Sequence, residues 1–286
     1  MKKPRSLKDA LKHKLNDNEL RLVPRAFDII GDIAVIEIPD ELSDRKHIIG
    51  ETLIDIFKNI NVVANKIEKI NTEFRTRNLE IIAGENRTET IHKEYNCLYK
   101  LDITKAYFSP RLGNERFRIA SQVKRNERVL VMFAGVGPYA ILIAKISKPR
   151  EVCAIELNPV AFEYMLENIK LNRVEVRAFN GDVREITPRI GKFDRIVMPL
   201  PKDAGNFLDI ALPALNKNGI IHFYDFSESE RMSIEKVKKI CRRLGYEIEI
   251  LNSVRCGSYS PRIYRICIDF RLTSQPDEHD RKRDMR

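Results

Sequence analysis

Short apolar runs alternate with amphipathic stretches through the second half of the chain, which predicts a parallel sheet covered by helices. We expect strands at Val129–Phe133, Val152–Ile155, Val174–Phe179, Arg195–Met198 and Ile220–Asp225, and helices at Tyr139–Ile146, Val160–Asn172, Asn206–Leu215 and Ser227–Leu244. Two more strands, Glu247–Val254 and Tyr264–Leu272, must run antiparallel because their connection is too short for a helical crossover. The pattern predicts a seven-stranded α/β domain.

The first part of the chain has a mixed pattern. We expect strands at Ile33–Ile38 and Val62–Lys66, a helix at Lys46–Lys58, an antiparallel pair at Thr88–His92 and Cys97–Ile103, and a helix N-capped by Asn114. The predicted organisation is a basic segment at 1–25, an α+β domain at 26–120, a Rossmann-like domain at 121–272 and a charged tail at 273–286. In the first segment Leu7, Leu11 and Leu15 permit an amphipathic helix, and a frayed terminus is the alternative.

A glycine turn follows the first strand of the α/β domain. Gly135 and Gly137 leave backbone N–H groups open to a ligand, and Pro138 suits the first turn of the next helix. The second strand ends in Glu156, whose carboxylate is placed to accept both hydroxyls of a ribose. These residues predict a nucleoside cofactor, and the loop alone leaves NAD and S-adenosyl-L-methionine open.

Composition narrows the class of partner. The 286 residues include 51 Lys and Arg against 41 Asp and Glu, and the formal charge of +10 favours a polyanionic partner, with a well-solvated basic surface as the alternative. The five cysteines form no C-x-x-C pair, so we expect neither a metal site nor a disulfide framework. Without a signal peptide or a membrane-length apolar run, we expect a cytoplasmic protein with no membrane partner.

Several motifs together resemble one family. They are Arg75-Thr76-Arg77, Tyr107-Phe108-Ser109-Pro110-Arg111 with Glu115-Arg116, Phe133-Ala134-Gly135-Val136-Gly137-Pro138, Glu156-Leu157-Asn158-Pro159 and Ser260-Pro261-Arg262. The chain resembles, from Phe27 onward, the archaeal and eukaryotic tRNA guanine-37 N1-methyltransferases and their wyosine-pathway relatives. The resemblance implies a class I methyltransferase fold, S-adenosyl-L-methionine as cofactor, and a monomer that binds tRNA at the anticodon stem-loop.

The resemblance also implies catalytic roles. Guanine N1 becomes nucleophilic as its proton leaves, so the reaction needs a carboxylate base and a cation near O6. By resemblance Glu115 is the base, Arg75 stabilises charge on O6, and Tyr107 positions the base or the cofactor. The structural alternatives are a glutamate that complements a helix dipole and an exposed arginine.

Cofactor contacts are implied in the same way. The family motifs place Phe133, Gly135, Gly137, Glu156, Asn158, Asp182 and Pro199 at the cofactor. Asp182 would accept the adenine amino group, with a turn residue as its alternative, and Asn158 has the alternative of a helix N-cap.

The identity of the target base depends on two departures from the family. The chain has Val131 and Pro199 where the family commonly has Asp and Asn, so its base pocket offers fewer polar partners. The leading interpretation is methylation of guanine 37 at N1. The alternative is methylation of 4-demethylwyosine at C7, and an NAD-dependent oxidoreductase is a remote alternative that rests on the glycine loop alone.

Overall fold

The computed structural model describes residues 6–67, 78–200 and 202–275. The chain divides into two compact units, Met1–Arg111 and Leu112–Arg286. The boundary lies one helix earlier than the expected position near residue 120. The reason is that the helix Gly113–Gln122 packs against a helix of the second unit, where Ser147 Oγ donates a 2.5 Å hydrogen bond to the Ala120 carbonyl.

The first unit contains a four-stranded sheet and a separate antiparallel pair. The sheet has the order β1 (Asp28–Ile30), β2 (Ile33–Ile36), β3 (Val62–Lys66), β4 (Leu79–Gly84), and the pair consists of β5 (Glu89–Glu94) and β6 (Cys97–Asp102). Its helices are α1 (Leu7–Ala10), α2 (Asp17–Leu22) and α3 (Lys46–Ile56), with 3₁₀ turns at Asp40–Arg45 and Pro110–Leu112. Strands β2 and β3 are parallel, and the other pairings are antiparallel.

The N-terminal segment belongs to the core of this first unit. Leu7, Leu11 and Leu15 are buried in one apolar cluster with residues of α3, so the predicted apolar stripe is used for packing. The segment is not one continuous helix, because α1 ends at Ala10 and α2 starts from a capping box between Asn16 and Glu19.

Asp32 joins the antiparallel pair to the four-stranded sheet. Its carboxylate accepts hydrogen bonds from Arg87 and from Thr90 Oγ1 at 2.8 Å. The Arg87 guanidinium, with Thr90 and Asn61, lowers the pKa of Asp32 to about 2. The carboxylate therefore stabilises the fold in its ionised form.

The second unit contains all seven strands of the predicted α/β domain. The strands are β7 (Arg128–Val131), β8 (Glu151–Glu156), β9 (Arg177–Asn180), β10 (Phe193–Met198), β11 (Leu215–Ser227), β12 (Glu247–Ser260) and β13 (Ile263–Ser274). The helices are α4 (Gly113–Gln122), α5 (Pro138–Ile146), α6 (Pro159–Asn172), α7 (Val183–Ile186), α8 (Leu208–Ala211) and α9 (Glu230–Arg243), with 3₁₀ turns at Thr187–Arg189 and Ala204–Phe207.

The sheet order is β12-β13-β11-β10-β7-β8-β9. Strand β13 lies between β11 and β12 and is antiparallel to both, which confirms the predicted antiparallel pair. The other neighbouring pairs are parallel, so the carboxyl ends of β10, β7, β8 and β9 lie side by side. Such an edge is where α/β sheets bind ligands.

Several local predictions were wrong. Strand β7 ends at Val131 because Phe133 adopts a left-handed φ of 56°. Asn114 is not an N-cap, since α4 begins at Gly113 and its cap position, Leu112, makes no side-chain hydrogen bond. The helix expected at Asn206–Leu215 is shorter and irregular, because Leu215 already pairs in β11. Among the described residues, no helix has both the length and the apolar character needed to cross a membrane.

Candidate active site

The glycine loop between β7 and α5 is held by neighbouring strands. Ala134 N donates to the Ile155 carbonyl at 2.9 Å, so the loop continues the pairing with β8. Gly135 and Gly137 have φ values of 58° and 87°, which side chains rarely adopt. A Cβ on Gly137 would lie 2.9 Å from Met165 Cγ, so glycine is required there by packing as well.

Glu156 closes this loop from the end of β8. Its Oε2 accepts a 2.6 Å hydrogen bond from Gly135 N, and its Oε1 accepts a 2.8 Å hydrogen bond from Asn158 N. Burial raises the pKa of Glu156, and the backbone N–H donors of Asn158 and Gly135 oppose that rise. The structure thus brings the predicted ribose acceptor and the predicted glycine turn into direct contact. The carboxylate still has lone-pair capacity that a ligand hydroxyl can use.

Asn158 and Asp182 both act as helix N-caps. Asn158 Oδ1 accepts from Val160 N at 3.0 Å, and its side chain is buried at the start of α6. Asp182 Oδ1 accepts from Arg184 N at 2.8 Å at the start of α7. For Asn158 the structure therefore shows the N-cap role named above as its alternative, whereas Asp182 is an N-cap although its predicted alternative was a turn residue. A cofactor contact of either residue stays a prediction. Asp182 nevertheless lies beside Glu156, since Gly181 N donates to the Glu156 carbonyl at 3.0 Å.

The remaining predicted cofactor residues lie on the same sheet edge. Phe133 packs edge-on against Phe207, with ring centroids 4.9 Å apart. Pro199 directly follows β10, and Val131 on β7 pairs with Val197 of β10. The Val131 side chain is fully buried at the end of β7, so an apolar group lies at this position.

Glu115 lies on α4 and is almost fully buried. Arg118, one turn later, donates to both carboxylate oxygens, with distances of 2.7 Å from Nε to Oε2 and 2.8 Å from Nη2 to Oε1. The Tyr224 hydroxyl donates to Glu115 Oε1 at 2.7 Å. Tyr224 in turn accepts a 3.0 Å hydrogen bond from the hydroxyl of Tyr139, which lies in the first turn of α5. Two buried hydroxyls therefore connect Glu115 to the helix that follows the glycine loop.

A buried polar network continues from Arg118 into the sheet. Arg118 Nη1 donates to Asp269 on β13 at 2.5 Å, and His222 Nδ1 lies 2.7 Å from the same carboxylate. Burial lowers the pKa of His222, so its imidazole is neutral. Since Arg195 Nη1 can only donate to His222 Nε2, at 2.7 Å, the histidine proton is on Nδ1 and is donated to Asp269.

Asp269 stays ionised within this network. Burial alone would raise its pKa, but hydrogen bonds from His222 and Arg118 hold the pKa of Asp269 well below its usual range. Arg118 thus faces two carboxylates. Arg195 forms a separate buried ion pair with Glu127 at 2.7 Å, and the charges of these two residues cancel. Of the two carboxylates on Arg118, Glu115 is the one that also accepts a hydrogen bond from a tyrosine hydroxyl.

The sequence also predicts Tyr107 and Arg75 as catalytic residues. Tyr107 is half-buried in the loop before the 3₁₀ turn Pro110–Leu112, in the first unit. Arg75 lies outside the described residues.

Sequence reasoning missed Arg118, Tyr224 and Asp269. Two signals could have revealed Arg118 and Asp269: the i, i+3 spacing of Glu115 and Arg118, and charged residues within strands of a central sheet. No such signal marks Tyr224, because aromatic residues are common in strands. His222 and Arg195 share the second signal.

The comparisons with known proteins agree with this architecture. Residues 90–249 match the TRM5/TYW2 methyltransferase domain, and residues 7–88 match the TYW2 N-terminal domain. The tRNA (guanine(37)-N(1))-methyltransferase Trm5b of Pyrococcus abyssi is 45% identical over 257 residues, which cover 88% of this chain and 76% of that protein.

Solved structures show the same similarity. A complex of aTrm5 and tRNALeu superimposes with a TM-score of 0.85 and 36% identity, covering 96% of this chain and 79% of that chain. A structure of M. jannaschii TYW2 in complex with AdoMet superimposes with a TM-score of 0.67 and 30% identity, covering 87% and 100%. With its seven-stranded topology, its Glu156-closed glycine loop and these matches over both units, the chain belongs to the TRM5/TYW2 methyltransferase family.

Proposed function

We propose that this protein transfers a methyl group from S-adenosyl-L-methionine to N1 of guanine 37 in tRNA. The observation that carries the proposal is the buried Glu115 carboxylate, connected through Tyr224 and Tyr139 to the helix that follows the glycine loop. A proton acceptor and a nucleoside-binding loop are thereby held in one rigid arrangement. The P. abyssi relative carries this activity in its name, and the chain matches most of its length.

S-adenosyl-L-methionine fits the residues at the sheet edge. The Glu156 carboxylate is already oriented by Gly135 N and Asn158 N, and its remaining lone pairs suit the two ribose hydroxyls. The left-handed turn at Gly135 and Gly137 lets the backbone approach the methionine part. When bound, the cofactor supplies an electrophilic methyl on a sulfonium, so the protein itself need only supply a base and orientation.

Glu115 supplies that base. The proton leaves guanine N1 for the Glu115 carboxylate as N1 forms its bond to the methyl carbon and the carbon–sulfur bond breaks. Before the transfer, Glu115, Asp269 and Arg118 together carry one net negative charge, and afterwards the Arg118–Asp269 pair is balanced. Arg118 and Tyr224 hold the carboxylate in position for this transfer.

The remaining parts of the mechanism come from the family resemblance. Arg75 stabilises the negative charge that develops on guanine O6, and Tyr107 orients the base or the cofactor. The substrate is bound at the anticodon stem-loop, where position 37 lies in a single-stranded loop that allows the base to leave its stack. The roles of Arg75 and Tyr107 do not depend on a metal ion.

A second target base is favoured by one specific observation. Val131 and Pro199 have apolar side chains at positions that are commonly Asp and Asn in the family. An apolar pocket discriminates weakly, and it would accept the larger ring of 4-demethylwyosine, methylated at C7.

The experiment uses two tRNAs that differ only at position 37, one with guanosine and one with 4-demethylwyosine. Methyl transfer is measured from labelled S-adenosyl-L-methionine, and the modified nucleoside is identified by mass spectrometry. We expect 1-methylguanosine from the first tRNA. Product only on the tricyclic base would replace the target while leaving the cofactor and the reaction class intact, and no product on either tRNA would reject the proposal.

A further inference from the structure

An exposed aromatic ring marks the tip of the β12–β13 hairpin. Tyr259 is 64% exposed, and its ring stacks on that of Phe226 with the centroids 4.1 Å apart and the planes 28° from parallel. Phe226 is partly buried near the end of β11. The tyrosine ring is therefore backed on one side by a fixed surface and presented to solvent on the other.

This stacked pair lies close to Glu115. Tyr224 and Phe226 are two residues apart on β11, so their side chains point to the same side of the sheet, roughly 7 Å apart along the strand. The Tyr224 hydroxyl touches Glu115. The stack thus lies one strand repeat beyond Tyr224, the residue that contacts Glu115, toward the carboxyl end of β11.

Positive charge accompanies the ring. The guanidinium carbon of Arg265 lies 5.4 Å from the centroid of Phe226, and Arg265 pairs with Phe226 in the sheet register. Arg262 is exposed in the turn that joins the two strands. An exposed aromatic face flanked by guanidinium groups is the surface on which proteins stack single-stranded bases beside phosphates.

Extraction of a target base gives this surface a specific occupant. When a base leaves its stack to enter a site, its neighbour in the strand loses a stacking partner. We propose that Tyr259, backed by Phe226, with Arg265 over the Phe226 ring and Arg262 in the adjoining turn, stacks on the base next to the target in the single-stranded loop of the RNA. This inference rests on the proposed function, and it names a part of the substrate that the protein recognises besides the methylated base.

The test compares Tyr259→Ala with Tyr259→Phe. The control is Leu251→Ala, which shortens a side chain that is 37% exposed on the same strand, β12. Steady-state kinetics are measured with tRNA and with S-adenosyl-L-methionine as the varied substrate. Tyr259→Ala should raise the KM for tRNA about 10-fold or more and leave the KM for the cofactor unchanged. The KM for tRNA of Tyr259→Phe and of Leu251→Ala should stay within about twofold of the wild-type value, because both variants keep an aromatic ring at position 259.

A direct probe identifies the stacked base. Anticodon stem-loops that carry 2-aminopurine at position 36 or 38 report stacking as loss of fluorescence. The fluorescence of one of these two stem-loops should be quenched by the wild type and by Tyr259→Phe, but not by Tyr259→Ala. An active wild type whose Tyr259→Ala variant has an unchanged KM for tRNA overturns this inference alone, whereas an inactive wild type overturns the proposed function. A Tyr259→Ala variant that only converts a dimer to a monomer, seen by sedimentation, would assign the ring to a second copy of the chain and equally reject RNA stacking.

Discussion

The hydroxyl of Tyr224 donates a 2.7 Å hydrogen bond to Oε1 of Glu115, where both side chains are buried in the second unit. The same hydroxyl accepts from Tyr139, so its own proton is directed at the carboxylate. Burial raises the pKa of Tyr224, which keeps it a donor throughout the working pH range. The carboxylate is thus oriented by a group that does not compete with it for protons.

Tyr224→Phe should lower kcat about 10-fold and leave the KM of both substrates nearly unchanged. The substitution removes one charge-assisted hydrogen bond and keeps the ring in place. Steady-state rates, with tRNA and with S-adenosyl-L-methionine as the varied substrate, provide the measurement. Tyr139→Phe is the control, since its hydroxyl does not touch Glu115, and an equal effect of both variants would contradict a specific role for Tyr224.

Arg118→Met should destabilise the protein by about 3–5 kcal/mol, because it leaves two buried carboxylates, Glu115 and Asp269, without their cation. Urea unfolding gives the free energy of unfolding. The matched control is Arg231→Met, which breaks an exposed i, i+4 pair with Glu235 and should leave the free energy of unfolding almost unchanged. Adding Glu115→Gln to Arg118→Met should restore part of the loss, and strict additivity would show that the two residues are not coupled.

Glu156→Ala should weaken S-adenosyl-L-methionine binding by about 1–3 kcal/mol, measured by isothermal titration. The change removes the acceptor for the ribose hydroxyls and the group that fixes Gly135 N. Asn158→Ala is an informative comparison, since it removes the N-cap of α6 and should lower the unfolding free energy by about 1 kcal/mol. Unchanged cofactor affinity in Glu156→Ala would exclude the proposed ribose contact.

Asp32→Asn should reduce stability in a pH-dependent way. The folded-state pKa of about 2 lies below the ordinary value of 3.8, so the stabilisation by Asp32 is fully present above pH 4 and is lost as the pH falls through 2. Since the group is partly exposed, we expect a difference of about 1–2 kcal/mol at pH 6 that shrinks toward pH 2. Urea unfolding at pH 6, 4 and 3 measures it, with Glu51→Gln, an exposed change on α3, as the control. A difference independent of pH would mean that the Arg87 pair is not its source.

Much of the α/β domain could be predicted from the sequence because its central strands are continuous apolar runs, and such runs have few alternatives to burial in a parallel sheet. The short terminal connection fixed the antiparallel direction of β12 and β13 in the same way. The strand ends were predicted less accurately. A single residue such as Phe133 can leave the extended conformation for reasons that depend on its three-dimensional surroundings.

The site was only partly predictable, for a different physical reason. Gly135 and Glu156 could be predicted from the sequence, because the turn needs a glycine and because a carboxylate at a strand end suits a ribose. Tyr224 on β11 and Asp269 on β13 are more than 100 residues from Glu115 and Arg118 in the chain, and only folding brings them together. Asn158 resembles a ligand contact in sequence, yet its Oδ1 is used by the N-terminus of α6.

The central claim is that Glu115 accepts the proton during methylation of guanine 37 at N1. The most direct measurement is single-turnover methyl transfer to a guanosine-37 tRNA by the wild type and by Glu115→Gln, with saturating S-adenosyl-L-methionine and with nucleoside analysis of the product. Glu115→Gln keeps the shape and loses the acceptor, so the rate should fall about 100-fold or more while both ligands still bind, and higher pH should restore part of it. A wild-type rate of 1-methylguanosine formation in Glu115→Gln would contradict the account.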